Sequence, residues 1–165
     1  MNNVIKLTPV QRLAADRVFA GLAVGDVILL SGKPGAGKST ILRTVHATMG
    51  GALLSMRQFM DSPAAREPMA IEEAFLGMME EALAQTTLVF VDDLQLVTNI
   101  VQSCDSPRRF LLDAALTALL GDAAGQRKKF VFATGEDAPW PVKRRAVSFE
   151  IGAPEVVLAC ASCVN

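Results

Sequence analysis

Short, continuously apolar runs alternate along the chain with segments in which apolar residues recur at helical spacing. Runs rich in valine, isoleucine, leucine and phenylalanine predict strands buried on both faces at 26–30, 87–91, 129–133 and 147–151, with a weaker strand at 52–56. Strands that alternate with helices, without an internal repeat, predict an α/β fold in which helices cover both faces of a parallel sheet.

The helical segments have recognisable ends. Thr8-Pro9-Val10-Gln11 has the pattern of a capping box with proline at the first helical position, and it predicts a helix that runs to about Ala20. The helix after the glycine-rich segment is expected to stop at Gly50-Gly51. A later helix is expected to begin at Ser106-Pro107 and to stop at Gly121.

Two further segments complete the pattern. A polar, proline-bounded loop is predicted at 61–68, and a wide apolar stripe at 71–83 predicts a helix that packs on the sheet. The methionines of that stripe, Met78 and Met79, are expected in the core. The apolar residues of the later helix include Phe110 and Leu111.

Composition places the chain among globular proteins. It has 165 residues, of which 51% are hydrophobic and 20% charged, so one domain over 1–165 is expected, with its core at 21–154. The sequence has neither an apolar run of the roughly 18 residues that cross a bilayer nor the pattern of a signal peptide, which predicts a cytoplasmic protein. A net charge of −1 gives no general attraction to nucleic acid.

The three cysteines, Cys104, Cys160 and Cys163, are expected to be reduced thiols. The spacing of Cys160 and Cys163 is found in metal sites, but a tetrahedral zinc site needs two more ligands. Only Cys104 and His46 remain as soft candidates, so ordinary thiols are the favoured interpretation.

A glycine-rich segment lies between the first predicted strand and the next helix, and it fits the pattern glycine, four residues, glycine, lysine, serine. In such a loop, main-chain N–H groups close around phosphate oxygens, helped by the positive end of the helix. The lysine reaches the terminal phosphates, and the serine hydroxyl is a hard oxygen ligand suited to Mg²⁺. The sequence predicts binding of ATP, or another nucleoside triphosphate with Mg²⁺, by Gly32, Lys33, Pro34, Gly35, Ala36, Gly37, Lys38, Ser39 and Thr40.

Two acids, Asp92 and Asp93, follow the most strongly apolar predicted strand. Adjacent parallel strands end at the same edge of a sheet, so these acids are expected near the glycine-rich loop. Asp92 is predicted to hold Mg²⁺ together with Ser39, and Asp93 to orient and partly deprotonate the water that attacks the γ-phosphate. Alternatively, the two acids only end the strand and cap the following turn.

With these motifs in place, the chain resembles the AAA+ ATPase superfamily from about residue 26 to 154, in the large αβ subdomain of an AAA-type module. The resemblance rests on the segments 32–40, 89–93, 130–134, 143–145 and 149–154. It implies a P-loop NTPase fold with three layers and a five-stranded parallel sheet in the order 5-1-4-3-2. It also implies an oligomer, as a ring or partial ring, in which ATP hydrolysis drives remodelling of a macromolecular partner.

The same resemblance implies roles for three more residues. Thr134 is the candidate for the polar sensor of the γ-phosphate, and Arg144 or Arg145 is the candidate for the arginine that reaches a neighbouring subunit's nucleotide. A guanidinium suits that role because it stays charged and offers forked donors to phosphate. Alternatively, the basic segment 143–145 is a solvated turn.

Departures from the family pattern leave other functions open. Asp93 stands where most members have glutamate, Gly135 stands where they have a sensor asparagine, and 62–68 contains no aromatic pore-loop residue. Family members continue into a helical lid beyond the position of Pro154, so the chain is expected to be part of a longer polypeptide. One alternative is a superfamily 1 helicase fragment, because 7–11 resembles the glutamine motif of those enzymes. The other is an ATP-gated assembly module with little or no hydrolysis.

Overall fold

The computed structural model of the chain describes residues 6–61, 71–103, 108–135 and 137–152. Within these ranges five strands form: β1 (Val27–Ser31), β2 (Ala52–Ser55), β3 (Leu88–Asp92), β4 (Lys129–Thr134) and β5 (Val147–Glu150). The helices there are α1 (Pro9–Val24), α2 (Lys38–Met49), α3 (Met56–Asp61), α4 (Ile71–Gln85), α5 (Gln95–Ser103), α6 (Arg108–Gly125) and α7 (Trp140–Arg145).

The five strands form one parallel sheet in the order β2-β3-β4-β1-β5. This confirms the predicted α/β fold and its strand order. The register pairs Ser31 with Thr134 at the ends of β1 and β4, and Ser55 with Asp92 at the ends of β2 and β3. The glycine-rich loop, the two acids and Thr134 therefore come to one edge of the sheet.

Two apolar layers enclose the sheet, because successive residues of a strand point to opposite faces. Val27 and Leu29 pack in a layer with residues of α3 to α7, whereas Ile28 and Leu30 pack with α1 and α2. In the described residues, none of the helices has both the length and the apolarity needed to cross a bilayer.

Several predicted boundaries hold. Thr8 caps α1 through a complete capping box, with Gln11 as the reciprocal partner, and Gly50 caps the end of α2. Met79 is fully buried and Met78 packs against the core.

Other predicted boundaries are wrong. The first helix continues beyond Ala20 to Val24, and α6 passes through Gly121 to Gly125 because Ala123 still packs in the core. Met56 begins α3 instead of ending β2, and its side chain is fully buried in α3. The short helices α3, α5 and α7 were not predicted.

The apolar face of α6 also differs from the expectation. Phe110 and Leu111 are 76% and 57% exposed, while Leu112 and Leu116 supply the core contacts. The predicted loop beyond Asp61, the cap at Ser106-Pro107 and all three cysteines lie outside the described residues.

Candidate nucleotide-binding site

The loop between β1 and α2 contains the predicted phosphate-binding pattern. Gly35 and Gly37 have positive φ angles of 82° and 91°, which glycine adopts with little strain. Gly37 is the N-cap of α2 and has no side-chain oxygen with which to cap the helix. The first N–H groups of α2 are therefore directed at the loop, where an anion could accept their hydrogen bonds.

Lys38 begins α2 and is buried, with 7% of its surface exposed. Its Nζ donates hydrogen bonds to the carbonyl oxygens of Gly32 at 2.7 Å and Lys33 at 3.1 Å. The loop thus wraps around an ammonium group whose positive charge lies at the edge of the sheet.

Ser39 and Asp92 join the first turn of α2 to the end of β3. The Ser39 hydroxyl lies near the Asp92 carboxylate, and the N–H of Asp93 donates to Asp92 Oδ1 at 3.0 Å. Burial raises the pKa of Asp92, and the negative charge of Asp93 adds to this rise. The hydrogen bonds from Ser39 and Asp93 and the charge of Arg43 oppose it.

Asp93 leaves the sheet in a left-handed conformation, with φ of 58°. Its Oδ1 accepts a hydrogen bond from Gln95 Nε2 at 3.1 Å. Gln95 Oε1 in turn accepts the N–H of Gly135 at 2.9 Å. One amide side chain therefore connects the residue after β3 to the residue after β4.

Thr134 is fully buried at the end of β4. It lines an open cleft of about 500 Å³ whose walls also include Gly32, Lys33, Gly135, Lys143 and Glu150. Thr134 and the first residues of the glycine-rich loop thus share one cleft at the sheet edge.

Arg144 and Arg145 lie in the last turn of α7, and both are exposed. The Arg144 guanidinium carbon lies 5.1 Å from the centroid of the Trp140 ring, while the Arg145 guanidinium lies near Gly121 of α6. The basic side chain of this segment that lines the cleft is Lys143, which forms an ion pair with Asp137 at 2.8 Å. The structure therefore brings together the loop, the acids and Thr134, but directs the two arginines elsewhere.

Two glutamines contact the site without having been predicted there. Gln95 has a weak sequence signal, since it is a polar residue two positions after Asp93. Gln11 was noted for its capping pattern and its likeness to a helicase motif. Its Oε1 accepts the N–H of Thr8 at 3.0 Å, and its Nε2 lies only 2.0 Å from the position that a Cβ of Gly37 would occupy.

The parallel sheet, its strand order and the loop ahead of α2 define a P-loop NTPase-like fold. Within that class, the chain belongs to the AAA family, the ATPase family associated with various cellular activities, whose model matches residues 28–150. Apart from this match to a family, no curated protein sequence matches the chain.

Three solved structures illustrate the fold. AMPPCP-bound DnaA from Aquifex aeolicus superposes with a TM-score of 0.55 at 16% identity, over 88% of this chain and 48% of that one. A DNA replication initiation factor superposes with a TM-score of 0.58 at 15% identity, over 90% of this chain and 48% of that one. The Pif1 helicase from Candida albicans superposes with a TM-score of 0.51 at 11% identity, over 88% of this chain and 39% of that one. The chain spans less than two thirds of each of these proteins, and at such identities the likeness concerns the fold alone.

Proposed function

We propose that the chain is a single domain that binds ATP with Mg²⁺ in the loop from Gly32 to Thr40 and hydrolyses it. The observation that carries this proposal is that Lys38, Ser39 and the Asp92-Asp93 pair meet at one edge of the sheet. Membership of an ATPase family supports the same reaction.

Binding rests on the loop and its lysine. The N–H groups of the loop and of the first turn of α2 would surround the β-phosphate, because glycine lets the backbone approach closely. Lys38 Nζ would exchange its bonds to the carbonyls of Gly32 and Lys33 for phosphate oxygens. The exchange is favourable because a phosphate oxygen carries negative charge, so the hydrogen bond then joins two ionised groups instead of an ammonium and a neutral carbonyl.

The donor set also suits Mg²⁺. Ser39 and Asp92 are hard oxygen donors that lie close together. In the described part of the chain no cluster of three or more histidine, cysteine or acidic side chains could hold a metal. Mg²⁺ does not need such a cluster, since it takes one or two protein oxygens and fills its shell with water and phosphate. When bound, it would neutralise charge on the phosphates.

Hydrolysis would need a base and groups that orient the γ-phosphate. We assign the base to Asp93, whose carboxylate lies beyond the metal ligand Asp92 and is held by Gln95. A carboxylate there can accept a proton from the attacking water. Thr134, at the end of β4 in the same cleft as the loop, is the candidate for contact with the γ-phosphate.

The arginines would act on a second copy of the chain. Arg144 and Arg145 are exposed and do not line their own cleft, as a residue acting on a neighbouring subunit requires. This makes an oligomer, a ring or partial ring in the cytoplasm, the expected working form. Remodelling of a macromolecular partner by this oligomer is the wider role that we propose.

A module that binds ATP but hydrolyses it slowly is the second candidate. It is favoured by the short Asp93 side chain and by Gly135, which has no side chain to contact phosphate.

Phosphate release by the wild-type chain and the Asp93→Asn variant tests the hydrolytic proposal. Asparagine keeps the oxygen that accepts from Gln95 and tolerates the left-handed conformation, so folding is preserved. We expect ATP affinity within about twofold of wild type and turnover lower by about a hundredfold. Turnover at the wild-type rate in Asp93→Asn would remove Asp93 from the reaction. Calorimetry that registers no heat with ATP and Mg²⁺ would remove binding as well.

A further inference from the structure

Gln95 lies outside the predicted motifs but contacts the proposed machinery directly. It is the first residue of α5 and is partly buried at the edge of the sheet. Its Nε2 donates to Asp93 Oδ1 at 3.1 Å and its Oε1 accepts from the Gly135 N–H at 2.9 Å. Both ends of one amide are thus used, one at the residue after β3 and one at the residue after β4.

The neighbourhood of Gly135 brings this amide close to Lys38. A Cβ built on Gly135 would lie 3.7 Å from Gln95 Nε2 and 3.7 Å from Lys38 Nζ. The ammonium that would hold the terminal phosphates and the amide that holds Asp93 therefore flank the same backbone position. A side chain at position 135 would fill the space between them.

The turn after β3 does not depend on the Gln95 side chain. Leu94 N–H donates to the carbonyl of Ala133 at 3.0 Å, which already joins the ends of β3 and β4 through the backbone. Leu96 N–H donates to the carbonyl of Asp93 at 2.9 Å and starts α5. Since backbone bonds fix this turn, the side-chain bonds of Gln95 serve the orientation of Asp93.

We propose that Gln95 is a positioning residue, which holds the Asp93 carboxylate in a fixed orientation and connects it to the end of β4 beside Lys38. This proposal deepens the proposed function and rests on it, since Asp93 is the base assigned above. A misplaced base costs rate without costing binding, because the phosphates are held by the loop. Gln95 would therefore affect turnover and leave ATP affinity unchanged.

Two variants separate the two bonds of the amide. Gln95→Met keeps the length of the side chain and removes both hydrogen bonds. Gln95→Glu keeps an oxygen that can accept the Gly135 N–H, but it has no N–H to offer Asp93 and places a second negative charge beside it. Gln85→Met, at the exposed end of α4, is the matched control.

Single-turnover hydrolysis and ATP affinity are measured for all three variants. We expect both Gln95 variants to lose about tenfold or more in the hydrolysis rate, with ATP affinity within about twofold of wild type. Gln85→Met should match wild type in both. Wild-type rates in Gln95→Met would overturn the proposal, as would a parallel loss of affinity and melting temperature, which indicates a structural role.

Amide exchange at Gly135, followed by NMR without nucleotide, separates failure of this proposal from failure of the proposed function. The Gly135 N–H should exchange about tenfold faster in Gln95→Met than in wild type, and near the wild-type rate in Gln95→Glu. Equal exchange in Gln95→Met and wild type would overturn the link between Asp93 and β4. A wild-type chain that binds ATP without hydrolysing it would overturn the hydrolytic function and the positioning role in it, while the exchange rates would still decide whether the link exists.

Discussion

Lys38 Nζ donates a 2.7 Å hydrogen bond to the carbonyl oxygen of Gly32, six residues earlier in the chain. The bond runs from the first residue of α2 back to the first residue after β1, so it closes the glycine-rich loop on itself. The two carbonyl oxygens that accept from Lys38 Nζ satisfy the ammonium without adding a negative charge of their own. The loop is therefore prepared for a multiply charged anion before any ligand arrives.

Replacement of this ammonium should weaken nucleotide binding strongly. In Lys38→Met the side chain keeps its length and apolar stem but loses the charge. We expect ATP affinity to fall by about a hundredfold, close to 2.7 kcal/mol, because a charge-assisted contact to phosphate is lost. Calorimetry with ATP and Mg²⁺ measures the loss.

Arg57→Met, in an exposed position of α3, is the matched control because it also removes one positive charge. It should bind ATP as the wild-type chain does. If Lys38→Met retained wild-type affinity while melting normally, phosphate binding by the loop would be contradicted.

Asp92 should make the stability of the folded chain depend on pH. Burial raises its pKa above the ordinary 3.8, so the folded chain holds this proton more tightly than the unfolded chain does. The stability that Asp92 contributes is present below pH 3.8 and is lost as the pH rises through the higher pKa of the folded state. At neutral pH, the ionised carboxylate therefore costs stability in the absence of a cation.

Asp92→Asn should consequently melt at a higher temperature than wild type at pH 7 without nucleotide, and the difference should shrink as the pH is lowered. The variant should also lose most of the stabilisation that Mg²⁺ adds to ATP binding, because an amide is a weaker ligand than a carboxylate. Thermal melts from pH 7 to 4, with and without Mg²⁺-ATP, measure both effects. Asp16→Asn, on the exposed face of α1, is the control. A lower melting temperature for Asp92→Asn at pH 7 would contradict this account.

Gly37 should tolerate no side chain. Its φ is 91°, and an added Cβ would lie 2.0 Å from Gln11 Nε2. Gly37→Ala should lower the free energy of unfolding by about 1–2 kcal/mol from the backbone alone, and it should displace Gln11 from the loop. We expect ATP binding to be lost as well, because the N–H groups at the start of α2 move.

Gly77 in α4 provides the opposite case. Apart from its chain neighbours and the backbone of its own helix, no atom of the described residues lies within 4 Å of a Cβ added there, and the helical backbone accepts alanine. Gly77→Ala should raise the free energy of unfolding by about 0.5–1 kcal/mol and leave ATP binding unchanged. Chemical denaturation of both variants measures the two signs, and equal effects would contradict the assigned role of Gly37.

The sequence predicted the sheet and its binding edge because those features depend on local patterns. Buried parallel strands are continuously apolar, and the loop after β1 needs glycines at fixed spacing. The prediction for Asp92 and Asp93 needs only the position of a strand end, since Asp92 is the last residue of β3 and Asp93 is the next residue. These signals require no knowledge of which strands become neighbours beyond the alternation of elements.

Gln95 and the apolar face of α6 could not be predicted in this way. Gln95 can connect Asp93 to Gly135 only because the fold places the ends of β3 and β4 side by side. Gln95 and Gly135 are forty positions apart in the chain. Phe110 and Leu111 are as apolar as Leu112, yet they are exposed because the rotation of α6 is set by packing against α4 and α7.

Action between subunits makes a prediction that no single chain can satisfy. If Arg144 or Arg145 acts on a neighbour's nucleotide, turnover per chain should rise with protein concentration until the oligomer is fully formed. Arg144→Ala and Arg145→Ala, assayed separately at saturating concentration, identify the arginine: the acting residue should cost about a thousandfold in rate, and the other little. Arg57→Ala again controls for loss of charge.

Mixing two inactive variants then tests the direction of action. Lys38→Met has an intact arginine but no functional loop. The inactive arginine variant has an intact loop but lacks the arginine that would reach a neighbour's nucleotide. A mixed oligomer places the arginine of the first against the nucleotide of the second, so activity should return on mixing although neither variant is active alone. If turnover were strictly proportional to protein at every concentration, and no activity returned on mixing, the arginines would act within their own chain or not at all.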